Sequence, residues 1–107
     1  MTDYGVVLVT ASSLLEAQTI AQSIIEKKMA ACVNFFPVQS VYSWQGKINH
    51  DAEYQLIIKT EFKLFNSLER TIKELHSYSE PEIILLNIVD GSKSYLSWLS
   101  ESLHSNP

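Results

Sequence analysis

Cysteine, glycine, proline and arginine are scarce in this chain, and the scarcity of cysteine says most about its setting. Cys32 is the only cysteine, so the chain cannot form an internal disulfide. This usage suits a reducing compartment. The first residues carry no basic segment of the secretory kind. We therefore expect a cytoplasmic protein.

Long hydrophobic runs and clustered positive charge are also missing. No apolar run approaches the ~20 residues that a membrane helix needs, so we expect no membrane association. Lysine and arginine number 8 against 12 acidic residues, for a net charge of −4. Beyond Lys27 and Lys28 the basic residues do not cluster, whereas a phosphate backbone is bound by several converging positive charges. We expect no nucleic-acid partner.

What the chain does have is the composition of one folded domain. Its 107 residues are 46% hydrophobic and 19% charged, which is typical of a globular domain. We predict a single domain over residues 1–107. Hydrophobic periodicity predicts the element order strand–helix–strand–strand–helix–strand, followed by a short helix.

Local patterns place these elements. Two apolar runs predict buried strands, capping-box spacing at Ser13 and Glu16 starts the first helix, and a Gln-Gly turn joins two long central strands. The predicted strands are Tyr4–Thr10, Ala31–Trp44, Lys47–Thr60 and Ile83–Val89, and the later helices run from Phe62 to Leu75 and onward from Ser92. The order βαββαβ is the ferredoxin-like pattern, an α+β sandwich whose four-stranded antiparallel sheet carries two helices on one face.

Spacing also predicts which side chains share a face. The buried stripe of the first helix is predicted as Leu14, Ala17, Ala21, Ile24 and Ile25. The apolar stripe of the last helix is predicted as Tyr95, Leu96, Trp98, Leu99 and Leu103. In the third strand, one face is predicted to carry Tyr54, Leu56, Ile58 and Thr60, and the other Glu53, Gln55, Ile57 and Lys59.

The central hairpin is too long for a lone domain of this size. Arms of about 13 residues at ~3.3 Å each span on the order of 43 Å, whereas the radius of gyration of such a domain is only ~13 Å. An apolar overhang is an aggregation hazard unless another copy pairs with it. Pro37 predicts a bulge or an edge strand. In the alternative interpretation, Pro37 splits the strand and the tip folds back.

Four segments, in order and with compatible gaps, resemble the CutA family of divalent-cation tolerance proteins. They are Ala30–Ile48 (AACVNFFPVQSVYSWQGKI), Leu56–Thr60 (LIIKT), His76–Ile83 (HSYSEPEI) and Tyr95–Leu99 (YLSWL). The resemblance implies a ferredoxin-like subunit with an extended hairpin and a C-terminal helix, assembled as a PII-like homotrimer through its hairpins. It also implies a link to tolerance of copper and other divalent metals, with no reaction attached.

Two residues are candidate metal ligands. His76 opens the family's His-x-Tyr-x-x-Pro-Glu-Ile frame, and Cys32 offers a soft ligand that suits copper. The family often has proline after this histidine and glutamate after the tyrosine, where this chain has Ser77 and Ser79. The structural alternatives are a histidine held at a helix terminus and a cysteine buried as a small hydrophobe.

Four further residues are candidates for binding a small effector in a cleft between subunits. Tyr78 and Glu82 share the loop of His76, Lys59 can pair with Glu82 or with an anionic ligand, and Trp44 can stack on a ligand near the hairpin tip. The structural alternatives are a tyrosine packed under the loop, a lysine that is solvated or staples an interface, and a tryptophan that anchors one.

Together these features favour a non-enzymatic homotrimer that binds a divalent metal ion, with copper as the candidate, or a small effector. The alternative is a structural or signalling scaffold that acts through a protein partner and is linked to metals indirectly. An enzyme is a third interpretation, because acylphosphatases share the fold. Their chemistry uses an arginine on a phosphate-cradling loop, whereas Arg70, the only arginine, is predicted in mid-helix.

Overall fold

A computed structural model describes residues 2–104 and confirms the predicted α+β architecture. The single domain over residues 1–107 stays a prediction, and residues 1 and 105–107 lie outside the described part. The elements, in chain order, are β1 (Tyr4–Ala11), α1 (Leu14–Glu26), β2 (Cys32–Trp44), β3 (Lys47–Glu61), a 3-10 turn (Phe62–Leu64), α2 (Phe65–Leu75), β4 (Ile83–Asn87) and α3 (Lys93–His104).

The four strands form one antiparallel sheet in the order β2-β3-β1-β4, the ferredoxin-like arrangement. We call the face that carries α1 and α2 the first face, and its opposite the second face. The core lies on the first face because alternate residues of β1 and β3 point there. Its fully buried members from strands and helices include Val7, Val9, Leu56, Ile58, Ile20, Ile24, Leu68 and Ile72.

The first helix begins as predicted but buries a shifted stripe. The Ser13 hydroxyl accepts a hydrogen bond from the Glu16 backbone N–H at 3.1 Å, whereas the Glu16 carboxylate bonds to Ser12 instead of closing the capping box. The buried residues are Ala17, Ile20, Ala21 and Ile24. The prediction of burial was wrong for Leu14 and Ile25, which are 44% and 39% exposed. More apolar residues occur in this helix than one face can accommodate.

The central hairpin has the predicted length and is continuous. Its strands have 13 and 15 residues, and the register runs unbroken through the pair of Pro37 with Tyr54. The predicted bulge and the folded-back tip were therefore wrong, while the edge position was right. An edge strand tolerates proline where the missing N–H would have faced outward. Gln45 and Gly46 both have positive φ, as a two-residue hairpin turn requires.

Half of this hairpin overhangs the sheet. β1 pairs with β3 only over Tyr54–Glu61, so residues 47–53 bond to β2 alone. The chain is consequently 45 Å long, with a radius of gyration of 14.5 Å. Its accessible surface is 6685 Å², against about 6,000 Å² for a compact monomer of this mass.

Apolar side chains also remain exposed on the second face and on α3. β4 was predicted to be buried, but it is an edge strand that ends at Asn87, and Ile84 and Leu86 are 46% and 47% exposed. Helix α3 lies against the second face, where His104 bonds to Glu61 at 2.6 Å. It buries Leu99 and Leu103, whereas Tyr95 and Trp98 of the predicted apolar stripe are exposed.

The second predicted helix begins one turn late as an α-helix. Residues 62–64 form the 3-10 turn, and α2 starts at Phe65 instead of Phe62. It buries Leu68 and Ile72, as its spacing predicts. Within residues 2–104, none of the helices has the length and apolarity that crossing a membrane would take.

Gly5 supplies a test of packing on the first face. A Cβ at this position would lie 2.7 Å from Leu85 Cδ1 and 2.8 Å from Phe62 Cε1. We expect Gly5→Ala to lower the free energy of unfolding by about 1–3 kcal/mol because both side chains must shift. Gly91→Ala is the matched control, since its Cβ would meet Leu96 at 3.5 Å, an ordinary contact. Equal urea midpoints for the two variants, at one protein concentration, would contradict this account.

Candidate functional site

The loop of residues 76–82 joins α2 to β4 and carries three of the six candidate residues. His76 has no exposed side-chain area. Its Nε2 lies 2.7 Å from the Thr10 carbonyl oxygen, and its Nδ1 accepts a hydrogen bond from the Tyr78 backbone N–H at 3.1 Å. This pattern assigns a neutral imidazole that donates through Nε2. A metal ion at either nitrogen would have to displace one of these bonds.

Tyr78 and Glu82 both reach side chains of the second face of β3. The Tyr78 hydroxyl donates to Glu53 Oε1 at 2.7 Å. Burial, and next the hydrogen bond to Glu53, raise the pKa of Tyr78. Glu82 Oε2 accepts from Gln55 Nε2 at 3.2 Å, and the same nitrogen lies 3.1 Å from the Val9 carbonyl oxygen. The loop is thus attached to two successive outward positions of β3.

Lys59 lies at the other end of the same strand. It pairs across the hairpin with Cys32, its Nζ is 3.9 Å from Cys32 Sγ, and it donates to the Asn34 side chain. The predicted contact with Glu82 does not form within one subunit. Gln55 bonds to Glu82 instead, because Lys59 is four residues further along β3, about 13 Å away.

The other candidates are also apart within one subunit. Trp44 is 54% exposed at the hairpin tip and pairs with Lys47, which is eight residues, or about 26 Å, from Gln55. His76 meets the strand pair of Thr10 and Gln55, whereas Cys32 lies about 13 Å along the sheet and two strands, about 10 Å, across it.

The described residues do not form a ready metal centre. Across residues 2–104, no group of three or more histidine, cysteine, aspartate or glutamate side chains could hold a metal ion. His76 and Cys32 lie too far apart within one chain to share a copper ion, because the separation is about 13 Å along the sheet and about 10 Å across it. The arrangement that does exist is a loop of ionisable side chains beside Glu53 and Gln55, in a second-face row of β3 that continues through the apolar Ile57 to Lys59.

Sequence reasoning overlooked Glu53 and Gln55 as site residues. Glu53 is 7% exposed and holds the Tyr78 hydroxyl, while Gln55 holds Glu82. The usable signal was the alternation of β3, which correctly placed both on the face of Lys59. Nothing in the local pattern indicated that the 76–82 loop would meet that row, because 25 and 27 residues separate the bonded pairs.

Comparison with known protein sequences gives matches over nearly the whole chain. Residues 5–102 match the family described as CutA1 divalent ion tolerance protein. The divalent-cation tolerance protein CutA of Thermus thermophilus is 44% identical over 98 residues, which cover 91% of this chain and 95% of that protein. The chloroplastic protein CutA of Arabidopsis thaliana is also 44% identical, and the match covers 91% of this chain and 54% of that longer protein.

Solved structures agree with the sequence matches. The structure described as the periplasmic divalent cation tolerance protein CutA from Archaeoglobus fulgidus has a TM-score of 0.93 and 40% identity, covering 94% of this chain and 99% of that one. CutA1 from Oryza sativa has a TM-score of 0.92 and 43% identity, with 96% and 95% covered. The extended hairpin is thus part of a fold shared with these proteins.

The contact between Tyr78 and Glu53 predicts a dependence of stability on alkaline pH. The pKa of Tyr78 is raised from its ordinary value of 10.0. The stability that the neutral phenol contributes is therefore fully present below about pH 10 and is lost as the pH rises above that value. We expect Tyr78→Phe to flatten the fall of the urea midpoint in this range.

Tyr54→Phe is the control for this prediction, since it removes a hydroxyl from the neighbouring position of β3. Ultraviolet titration of the wild type minus Tyr78→Phe isolates the Tyr78 phenol. A difference curve centred at the value of a free tyrosine would refute the prediction.

Proposed function

Because the chain belongs to the CutA1 divalent ion tolerance protein family, we propose that it is a non-enzymatic homotrimer that takes part in tolerance of divalent metal ions. In this proposal a divalent cation, with copper as the candidate, or a small effector binds in clefts between subunits. The observation that carries it is the position of the 76–82 loop, whose Tyr78 and Glu82 contact the second face of β3 beside the overhanging hairpin.

The overhang supports assembly from copies of this chain. Residues 47–53 pair only with β2, and the surrounding exposed apolar side chains are Phe36, Val41, Tyr42, Trp44 and Ile48. Large aromatic side chains are typical of interface anchors. A hairpin that docks on a different surface of the next copy makes a heterologous contact, and closure into a ring prevents fibre growth.

β4 offers a second surface to such a neighbour. The strand is apolar on both faces, and Ile84 and Leu86 are half-exposed on the second face. An edge strand that is apolar on both sides suits burial by a partner. We infer that a neighbouring copy covers it.

Assembly would also bring the separated candidates together. Trp44 lies about 26 Å from Gln55 in its own chain, so it can reach Tyr78 and Glu82 only from another copy. Lys59 and Cys32 likewise need a second chain to approach His76. An intersubunit cleft is the arrangement in which all six candidates contribute.

Sedimentation tests the oligomeric state. We expect the wild type to sediment at three times the 12.1 kDa subunit mass. Leu86→Lys should shift the protein toward monomer because it places a charge on the second face of β4. Leu15→Lys is the matched control, as Leu15 is 72% exposed on α1. A wild type that stays monomeric at micromolar concentration would contradict the trimer and its clefts.

Calorimetric titration of the assembled protein with Cu²⁺ and with Zn²⁺ tests ligand binding. We expect Glu82→Gln to weaken the affinity roughly tenfold, since it removes one charged ligand or neighbour of the cation. Glu101→Gln is the control, because Glu101 is exposed on α3. Negligible heat from the wild type with both ions would reject the metal version of the proposal.

The second candidate function is a structural or signalling scaffold that acts through a protein partner. The exposed aromatic pair of α3 favours it, since the Tyr95 and Trp98 rings lie 5.5 Å apart and 42% and 44% exposed. A trimer that gives no heat with metals but binds one partner stoichiometrically, and loses that binding in Trp98→Ser, would support it.

We also propose a cytoplasmic location, based on the single cysteine of the chain. Relatives differ in this respect, because the plant proteins are named chloroplastic and the Archaeoglobus protein is called periplasmic. Fractionation of the source cells, with markers for each compartment, decides the question.

A further inference from the structure

One carboxylate joins two parts of the chain that lie 61 residues apart. Glu16 Oε1 accepts hydrogen bonds from the Ser12 backbone N–H at 2.8 Å and from the Ser12 hydroxyl at 3.0 Å. Glu16 Oε2 accepts from the Ser77 backbone N–H at 2.8 Å. We call these three residues the Glu16 latch. The Glu16 side chain is 12% exposed, while Ser12 and Ser77 are exposed, so the carboxylate is largely shielded from water and the donor residues are not.

The latch binds Ser77, which lies between His76 and Tyr78, the two loop residues whose side chains are hydrogen-bonded to other elements. His76 bonds to the Thr10 carbonyl on one side of Ser77, and Tyr78 bonds to Glu53 on the other. The His76 and Tyr78 rings also lie 4.8 Å apart. A continuous set of contacts therefore runs from the start of α1, through the loop, to the second face of β3.

We propose that Glu16 is a positioning residue of the candidate site: its carboxylate fastens the 76–82 loop to the corner between β1 and α1, and thereby sets where Tyr78 and Glu82 stand for a ligand. The role in ligand binding rests on the function proposed above. The fastening itself can be measured without any ligand.

The latch depends on particular backbone and side-chain groups of this chain. It needs a backbone N–H at position 77, which Ser77 supplies and which a proline would lack. It also needs both carboxylate oxygens of Glu16 to act as acceptors. Glutamine offers one acceptor and one donor group, so Glu16→Gln must leave either the Ser12 or the Ser77 N–H facing another donor.

The ionised form of Glu16 is the one that the fold favours. Burial by itself would raise the pKa of Glu16, but hydrogen bonds from Ser12 and Ser77 outweigh it and place the pKa below the ordinary 4.5. The contribution of the latch to stability is thus present above pH 4.5 and is lost as the pH falls through the lowered pKa. His76 also faces the carboxylate, with Nδ1 at 3.8 Å from Oε1, and Tyr78 faces it from further along the loop.

Amide NMR of the whole assembled protein tests the fastening. With a latch, the Glu16 carboxylate protects the Ser77 amide from exchange, and this amide should exchange at least about tenfold faster in Glu16→Gln. Unchanged exchange of the Ser77 amide in this variant would overturn the proposal.

A pair of substitutions at position 77 separates the N–H from the side chain. Ser77→Pro removes the donor, and the preceding His76 already has the extended backbone, φ −85 and ψ 141, that a following proline favours. Ser77→Ala keeps the donor. We expect much faster exchange of the Tyr78 amide in Ser77→Pro and a smaller change in Ser77→Ala, which keeps the N–H and loses only the hydroxyl that lies 3.3 Å from Ser12 Oγ. Equal behaviour of the two variants would contradict a role for the N–H.

Zn²⁺ titration links the latch to the site. We expect Glu16→Gln to weaken Zn²⁺ binding roughly 2- to 30-fold, while Glu26→Gln, on the exposed end of the same helix, leaves it unchanged. Wild-type affinity in Glu16→Gln, despite the loosened loop, would overturn the positioning role. A wild type that binds no Zn²⁺ would remove the metal ligand and with it the positioning role, whereas the exchange rate of the Ser77 amide would still decide the latch.

Discussion

The structure depends on a mismatch of length between the central hairpin and the rest of the sheet. β3 has fifteen residues, but β1 accompanies it over eight. The remaining length is held by β2 alone, and a two-stranded ribbon has little stability in water by itself. Each strand of the ribbon pairs on one side only, and its side chains lack a surface to pack against. Every exposed apolar residue near the tip follows from that mismatch.

Most of the fold was predictable because it rests on local regularities. Strand lengths, the alternation of β3 and the Gln45-Gly46 turn are readable from neighbouring residues alone. The errors arose where tertiary packing decides which residues are buried and which strands lie at an edge. Leu14 and Ile25 are as apolar as Ile20, but α1 turns only one side to the sheet. Pro37 breaks no pairing because β2 is an edge strand, a fact that depends on the order of all four strands.

The candidate site was predictable only in part, for the same reason. The His-x-Tyr frame located the loop, but its partners Thr10, Glu16 and Glu53 belong to other elements. Lys59 has the charge that complements Glu82, but within one chain the register places Gln55 beside Glu82. A pair between Lys59 and Glu82 therefore needs two copies of the chain and stays a prediction. A motif identifies which residues carry polar chemistry, and only the fold determines which of them meet.

The charged side chains on the second face of the sheet connect assembly with ligand binding. Glu53 and Glu82 lie near one end of the second face of β3, and Lys59 lies at the other. Glu53 is already buried at 7% exposure, whereas Glu82 is partly exposed. In the proposed trimer, covering this face with another copy would remove water from Glu82, and burying an unpaired charge costs on the order of several kcal/mol. A lysine of a neighbouring copy or a bound cation would offset this cost, so the proposed assembly would itself create the demand for a positive charge.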